Sequence, residues 1–210
     1  GTIDGCGDRR PFFRTDEIRW RNVYMRGCRG VRIEGIRLDH PSFWTIFLRA
    51  CDRVHVKGVT IRATVNYNND GLDLTVSNAL VEDCDIDSTD DALVLKGFDP
   101  DFVSENVEIR NCRIATTGNC IKFGTETFSR CRNYEIHHCS IGAADRFGPR
   151  APNFVRYPMT VTNEYRCESG LAFLTVDGGT IEDVRVHDVE IRGGVLVPFA
   201  FRLGRRYGEE

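Results

Sequence analysis

A short alternating strand unit recurs along this chain with a step in the twenties. It reads Val31-Arg32-Ile33-Glu34-Gly35-Ile36-Arg37-Leu38 and returns as Val54-His55-Val56-Lys57-Gly58-Val59-Thr60-Ile61. It comes again at Leu80–Ile86, Val107–Ile114, Tyr134–Ile141 and Val184–Ile191. With Ile36, Val59, Cys84, Cys112, Cys139 and Val189 taken as equivalent, the steps are 23, 25, 28, 27 and 50. Period-2 alternation turns apolar side chains inward and charged ones outward. No amphipathic helix of useful length competes with it. Strand units that repeat at this spacing cannot bury their apolar face alone, so they stack as a solenoid. Leucine-rich repeats share the period, but their Leu/Asn signature is absent. The pattern predicts an all-β, right-handed parallel β-helix, truncated at one or both ends, as a single domain over residues 1–210. The last step predicts either two coils or one coil with an insertion. An insertion over about Ala143–Glu168 is favoured, because Gly148-Pro149-Arg150-Ala151-Pro152 and Pro158 suit a loop.

Composition narrows the partners. A net charge of −3 offers no basic footprint for nucleic acid and no polybasic membrane patch. No apolar run approaches the roughly 20 residues of a membrane helix. The chain opens on Gly1-Thr2-Ile3-Asp4-Gly5 with no signal peptide, so compartment is not read directly. Neither Gly1 nor Glu210 lies in a convincing cap, which predicts a fragment that is marginal or oligomerises through an open end. There are nine cysteines and no CxxC. Cys28, Cys51, Cys84, Cys112 and Cys139 follow the repeat and are read as small residues stacked inside the solenoid. A few disulfides involving Cys6, Cys131 or Cys167 are the alternative, and a zinc site has little support.

Two acidic strings sit on consecutive repeats: Asn68-Asn69-Asp70-Gly71-Leu72-Asp73 and Asp90-Asp91-Ala92-Leu93-Val94-Leu95-Lys96. Aligning Asp70–Asp73 with Asp91–Val94, Asn119–Lys122 and Leu171–Leu174 gives two outward columns. One holds Asp70, Asp91 and Asn119; the other holds Asp73, Val94, Lys122 and Leu174. Carboxylates this close raise one another's pKa, so one can remain protonated while another stays a base. The competing reading is an Asp ladder that caps turns, strongest for Asp73. His40, His55, His137, His138 and His187 share no column with the acids and are read as solvent-facing strand residues. Trp20 and Trp44 are read as packing on the solenoid rather than as sugar platforms. Arg202-Leu203-Gly204-Arg205-Arg206 either brings a guanidinium to the groove rim or forms an exposed basic tail.

The Asn-Asn-Asp-Gly-Leu-Asp string resembles the Asn-Thr-Asp-Gly-x-Asp motif of the polygalacturonase-like glycoside hydrolases (family 28). Asp90-Asp91 with Lys96-Gly97 resembles that family's Asp-Asp motif. Gly1–Gly5 and Pro41-Ser42-Phe43-Trp44-Thr45-Ile46 are similar to family segments upstream of the site. The resemblance implies hydrolysis of a pectin-type or other uronate-containing polysaccharide outside the cell or in the periplasm, with no metal or cofactor. Asp90 would be the general acid, and Asp70 and Asp91 would activate water for an inverting attack. Asn68, Asp73, Lys96, Asn119, Lys122 and Glu126 would contact substrate. The chain also departs from the family. Its Gly-His-Gly motif falls at Gly118-Asn119-Cys120, and its Arg-x-Lys motif at Ala172-Phe173-Leu174, so the histidine and both cations are missing. Lys122 would replace part of that charge. A polysaccharide lyase and a non-catalytic carbohydrate-binding β-helix remain as alternatives.

Overall fold

A computed structural model describes residues 1–9, 19–143 and 167–206. Among the described residues there is no helix. In chain order the strands are β1 (Thr2–Asp4), β2 (Val23–Arg26), β3 (Arg29–Glu34), β4 (Arg37–Asp39), β5 (Ile46–Lys57) and β6 (Thr60–Ala63). Then follow β7 (Leu72–Glu82), β8 (Asp85–Ser88), β9 (Leu93–Gly97), β10 (Ser104–Arg110), β11 (Arg113–Thr116) and β12 (Asn119–Thr127). The last six are β13 (Arg130–His137), β14 (Ser140–Ala143), β15 (Cys167–Thr175), β16 (Thr180–His187), β17 (Glu190–Arg192) and β18 (Val195–Leu203). Every pairing is parallel and joins one coil to the next.

One sheet runs β1-β4-β6-β8-β11-β14-β17. The residues aligned by sequence (Ile36, Val59, Cys84, Cys112, Cys139 and Val189) each stand one position ahead of a strand of this sheet. The other strands form two ladders joined through β5 and β7. Their first halves pair with β2 and β9, and their second halves with β3 and β10. The step of 50 is a single coil, since Ser140 pairs directly with Glu190 and Tyr134 with Val184. Nearly all of the expected insertion, residues 144–166, lies outside the described residues.

The interior is a set of side-chain ladders. Leu48, Leu74, Leu95 and Phe123 follow one another through successive pairings. The ladder goes on with Phe173 and Phe201, whose rings stack at 5.1 and 5.0 Å. Seven of the nine cysteines are buried, Cys28 is half-buried, Cys6 is exposed, and all nine thiols are free. The disulfide alternative is therefore not met. Cys84, Cys112 and Cys139 occupy one small-residue ladder, where a larger pair of side chains would push the coils apart. Strand β18 presents Leu196, Val197, Phe199, Phe201 and Leu203 to solvent.

The coils approach closely next to the acidic strings. A Cβ on Gly71 would lie 2.4 Å from the Ala92 carbonyl oxygen and 2.6 Å from Ile86 Cγ2. Gly71→Ala therefore has to spread two coils between the acids. We expect it to lower Tm by several degrees, as overpacking a filled site does, and to disturb activity more than its stability cost alone accounts for. Thermal unfolding and turnover measured side by side check this.

Candidate active site

The site is built where β7, β9 and β12 begin. Leu72 pairs with Leu93, and Leu93 with Ile121, which places Asp70, Asp91 and Asn119 in one outward column. Asp90 sits beside it on the turn before β9. The column continues differently from the sequence alignment: Asn119 pairs with Ser169 and Lys122 with Ala172. The fourth coil is thus shifted by two residues, and Lys122 shares a column with Ala172 rather than Leu174.

Oxygens of Asp70, Asp90 and Asp91 all lie within 4.8 Å of one another. Asp70 and Asp91 are buried, and Asp90 is half-buried. Asp90 is fixed from three sides. Its Oδ2 accepts from Asn68 Nδ2 at 3.3 Å, its Oδ1 from the Asp91 backbone N–H at 2.9 Å, and its carbonyl from Ser88 Oγ at 2.6 Å and from the Thr116 hydroxyl. Burial first, then the charge of Asp91, raises its pKa to about 6. Asp91 moves the other way. Burial opposes ionisation, but Lys122 Nζ at 2.6 Å and two Asn119 donors at 2.6 and 3.0 Å outweigh it and hold the carboxyl below its ordinary range. Asn119 is itself positioned by Ser169 Oγ at 2.6 Å. Asp70 is raised well above its ordinary pKa by burial and by Asp73, Asp90 and Asp91, and its Oδ1 has no hydrogen-bond partner.

Asp73, expected on an open groove wall, is fully buried. Burial lifts its pKa to about 7 against the pull of Lys96. Lys96 Nζ stands 3.3 Å from Asp73 Oδ1, an ion pair outside hydrogen-bond geometry, and 2.7 Å from Glu126 Oε2. Arg206 joins the same chain of charge, 3.4 Å from Glu126 and 2.7 Å from Asp177. Of the C-terminal arginines, Arg202, Arg205 and Arg206 are exposed, and Arg206 makes these ion pairs. Lys96 and Lys122 are both committed to carboxylates, so neither stands as an open cation.

The sequence missed Arg21, Arg19 and Glu168. Arg21 lies over an aromatic wall of Tyr24, Phe43, Trp44 and Phe47. Arg19 reaches Asn68 Oδ1 at 3.1 Å. Glu168 is an exposed residue whose carboxyl is nonetheless partly desolvated, which with the charge of Asp91 raises its pKa. Trp20 is a correction: it is 68% exposed rather than packed. Trp44 packs, stacked on Phe43 at 5.0 Å. The histidines stay clear of the acids; His137 and His187 stack on each other and pair with Glu108 and Glu135.

Two groups among the described residues could gather a cation. One is the Asp70, Asp90 and Asp91 trio, where Lys122 already supplies positive charge; the other is Asp4, Asp8 and His40, with Asp4 and Asp8 exposed. The buried trio also bears on stability. A carboxyl whose folded pKa is raised favours the folded state at low pH, and the advantage is lost as pH climbs past the unfolded value near 3.8. Asp70→Asn removes that loss. We expect its Tm to match wild type near pH 4 and to exceed it by several degrees at pH 8, read by thermal melts across pH.

No protein-family profile matches the chain, and no curated protein matches it in sequence. Solved structures do. The hyperthermoactive exopolygalacturonase of Thermotoga maritima superposes with a TM-score of 0.64 at 22% identity, over 88% of this chain and 39% of that one. Endopolygalacturonase I of Stereum purpureum, solved with two galacturonates, gives 0.51 at 12% identity, over 99% of this chain and 78% of that one. The chain thus spans well under half of the first neighbour's length. In fold it is a right-handed parallel β-helix like these polygalacturonases.

Proposed function

We propose that the chain hydrolyses glycosidic bonds in a pectin-type, uronate-containing polysaccharide, acting outside the cell or in the periplasm. The observation that carries this reading is the difference in environment among three aspartates whose oxygens lie within 4.8 Å of one another. Asp90, half-buried with a pKa of about 6, holds a proton in mild acid. Asp91 is kept ionised by Lys122 and Asn119. Asp90 donates its proton to the glycosidic oxygen as the bond to the anomeric carbon breaks. Water attacks that carbon and gives its proton to Asp91, with Asp70 completing the water's surroundings. The likeness in fold to two polygalacturonases supports the substrate class.

Inverting enzymes hold their two carboxyls roughly 6.5–9.5 Å apart. Direct attack by water inverts the anomeric carbon, whereas the oxygens here lie within 4.8 Å, closer than that spacing. The anomer of the first-formed product, followed by NMR, decides the stereochemistry.

A lyase is the second reading, because three carboxylate oxygens within 4.8 Å of one another could gather a divalent cation. Lys122 speaks against it. Its pKa is raised, since Asp91 more than offsets burial, and a protonated amine removes no proton. The test is product analysis on polygalacturonate and other acidic and neutral polysaccharides. Hydrolysis releases reducing ends with no ultraviolet-absorbing unsaturated sugar, and is indifferent to chelator. Unsaturated, chelator-sensitive product would replace the hydrolase reading with the lyase. Binding without any product would replace it with a carbohydrate-binding β-helix.

A further inference from the structure

We propose that Arg21, two coils to the N-terminal side of Asp70, forms with the aromatic residues of the intervening coil a subsite for a uronate carboxylate. The inference rests on the hydrolase reading and assigns the anion-recognising group that the missing Arg-x-Lys residues leave open.

Register sets the location. Tyr24, Phe47 and Asp73 pair in sequence along one outward column, which runs on to Val94 and Lys122. Counting back two residues from the Ile46–Leu72 pair puts Trp44 beside Asp70. The Trp44 end of the patch therefore adjoins Asp70 at the spacing of one coil, about 4.8 Å, with Asp90 and Asp91 one coil further on. Within it the Arg21 guanidinium lies 4.9 Å from the Phe43 ring centroid, 5.0 Å from Trp44, 5.4 Å from Tyr24 and 5.5 Å from Phe47.

The other cations around the site are spoken for. Lys122 is on Asp91 at 2.6 Å, Lys96 on Glu126 at 2.7 Å, Arg206 on Asp177 at 2.7 Å, and Arg49 on Asp99 at 2.6 Å. Arg21 differs. Among the described residues it makes no ion pair, and its Nε is buried without a hydrogen-bond partner. The rings hold the guanidinium in place without satisfying its donors. Asp73 and Asp70 act on it through space without an ion pair to either; Asp70 is raised well above its ordinary range by burial, and Asp73, with a pKa of about 7, is shared with Lys96.

This arrangement suits a uronate. A planar guanidinium takes a carboxylate through two parallel hydrogen bonds. Tyr24, exposed at the edge of the patch, offers an aromatic surface beside the guanidinium for the apolar face of a pyranose ring. A methyl ester presents no charge and cannot accept the bidentate pair as a carboxylate does. The subsite therefore selects the free acid over the ester.

The test compares kcat/KM on polygalacturonate and on its highly methyl-esterified form, for wild type and Arg21→Gln. Oligogalacturonate binding is measured alongside, in an Asp90→Asn background with and without Arg21→Gln. We expect the acid-to-ester ratio to fall at least tenfold in Arg21→Gln, mostly through KM, and binding to Asp90→Asn to weaken by a similar factor. Should Arg21→Gln not fold, Arg21→Lys keeps the charge without the planar fork and should also lower the ratio. An unchanged ratio in an active enzyme overturns the subsite and leaves the hydrolase reading intact. So does an equal loss on both polymers accompanied by a shifted pH profile, which would confine Arg21 to holding Asp73. A wild-type protein that neither cleaves nor binds either polymer overturns both.

Discussion

Replacing Asp90 by Asn should lower kcat on the cleaved polysaccharide by a hundredfold or more while leaving KM within a few-fold. The amide keeps the size of the side chain and can still accept from the Asp91 N–H, so the turn geometry survives. What disappears is the proton for the leaving oxygen, and general acid catalysis contributes about 10²–10⁴-fold. The pH profile should report the same group. Asp90 is protonated below about 6, so wild-type activity declines as pH rises through about 6. Asp91, depressed by Lys122 and Asn119, remains a base well below that. The optimum therefore lies on the acid side of 6, and the two limbs belong to the trio jointly because its members titrate against one another. In Asp90→Asn the alkaline limb should vanish. A variant that keeps kcat within a few-fold, or keeps the limb, would remove Asp90 from the role of acid.

The largest effect on stability should come from Lys96→Met. Lys96 is 3% exposed and lies between Asp73 and Glu126, with its Nζ 4.4 Å from the Trp44 ring centroid. Burial works against its charge, but the carboxylates raise its pKa further than burial lowers it. Removing one member of a buried ionic group costs about 3–5 kcal/mol, because the partners stay buried without compensation. At about 2–4 °C per kcal/mol for a domain of this size, Tm should fall by roughly 10 °C. The deficit should depend on pH. Asp73 already has a pKa near 7, and without Lys96 it rises further. The variant then loses stability through a window where wild type no longer does, so the gap widens above pH 7 and is smallest in acid. Adding Asp73→Asn should restore part of the loss. A Tm within 2–3 °C of wild type at pH 8, against an expected cost of about 3–5 kcal/mol, would mean that the buried charges are compensated elsewhere.

The fold was legible because each coil repeats one instruction. Inward residues at every second position, restarted by a turn every twenty-odd residues, admit little besides stacked parallel coils. The column of Asp70, Asp91 and Asn119 followed from the same count. The fourth coil did not. A slip of two residues keeps every side chain on its own face, so period-2 alternation is blind to it. The long step before Cys167 removed the count that would have shown Ser169, not Leu171, opposite Asn119. The depth of burial was illegible for a different reason. Asp73 reads as an outward residue and is one, yet Lys96 and Trp44 from other coils crowd over that position. Arg21 escaped notice because its neighbours Phe43, Trp44 and Phe47 arrive from the following coil. Contacts between coils are set by register, which no single stretch of sequence displays.

The interior thiols have a practical consequence. They are distributed along the stack, with Cys51, Cys84, Cys112, Cys139 and Cys167 on different coils, and none is tied to another. The chain therefore carries its own set of chemical reporters. In the intact fold only Cys6 is exposed to an alkylating reagent, and Cys28 is partly shielded. Each further position becomes reactive only when its coil opens, because local openings differ in free energy along a structure. The order in which these positions are labelled under mild denaturation would trace how the coils separate, and would show whether those bearing the aspartates open early or late.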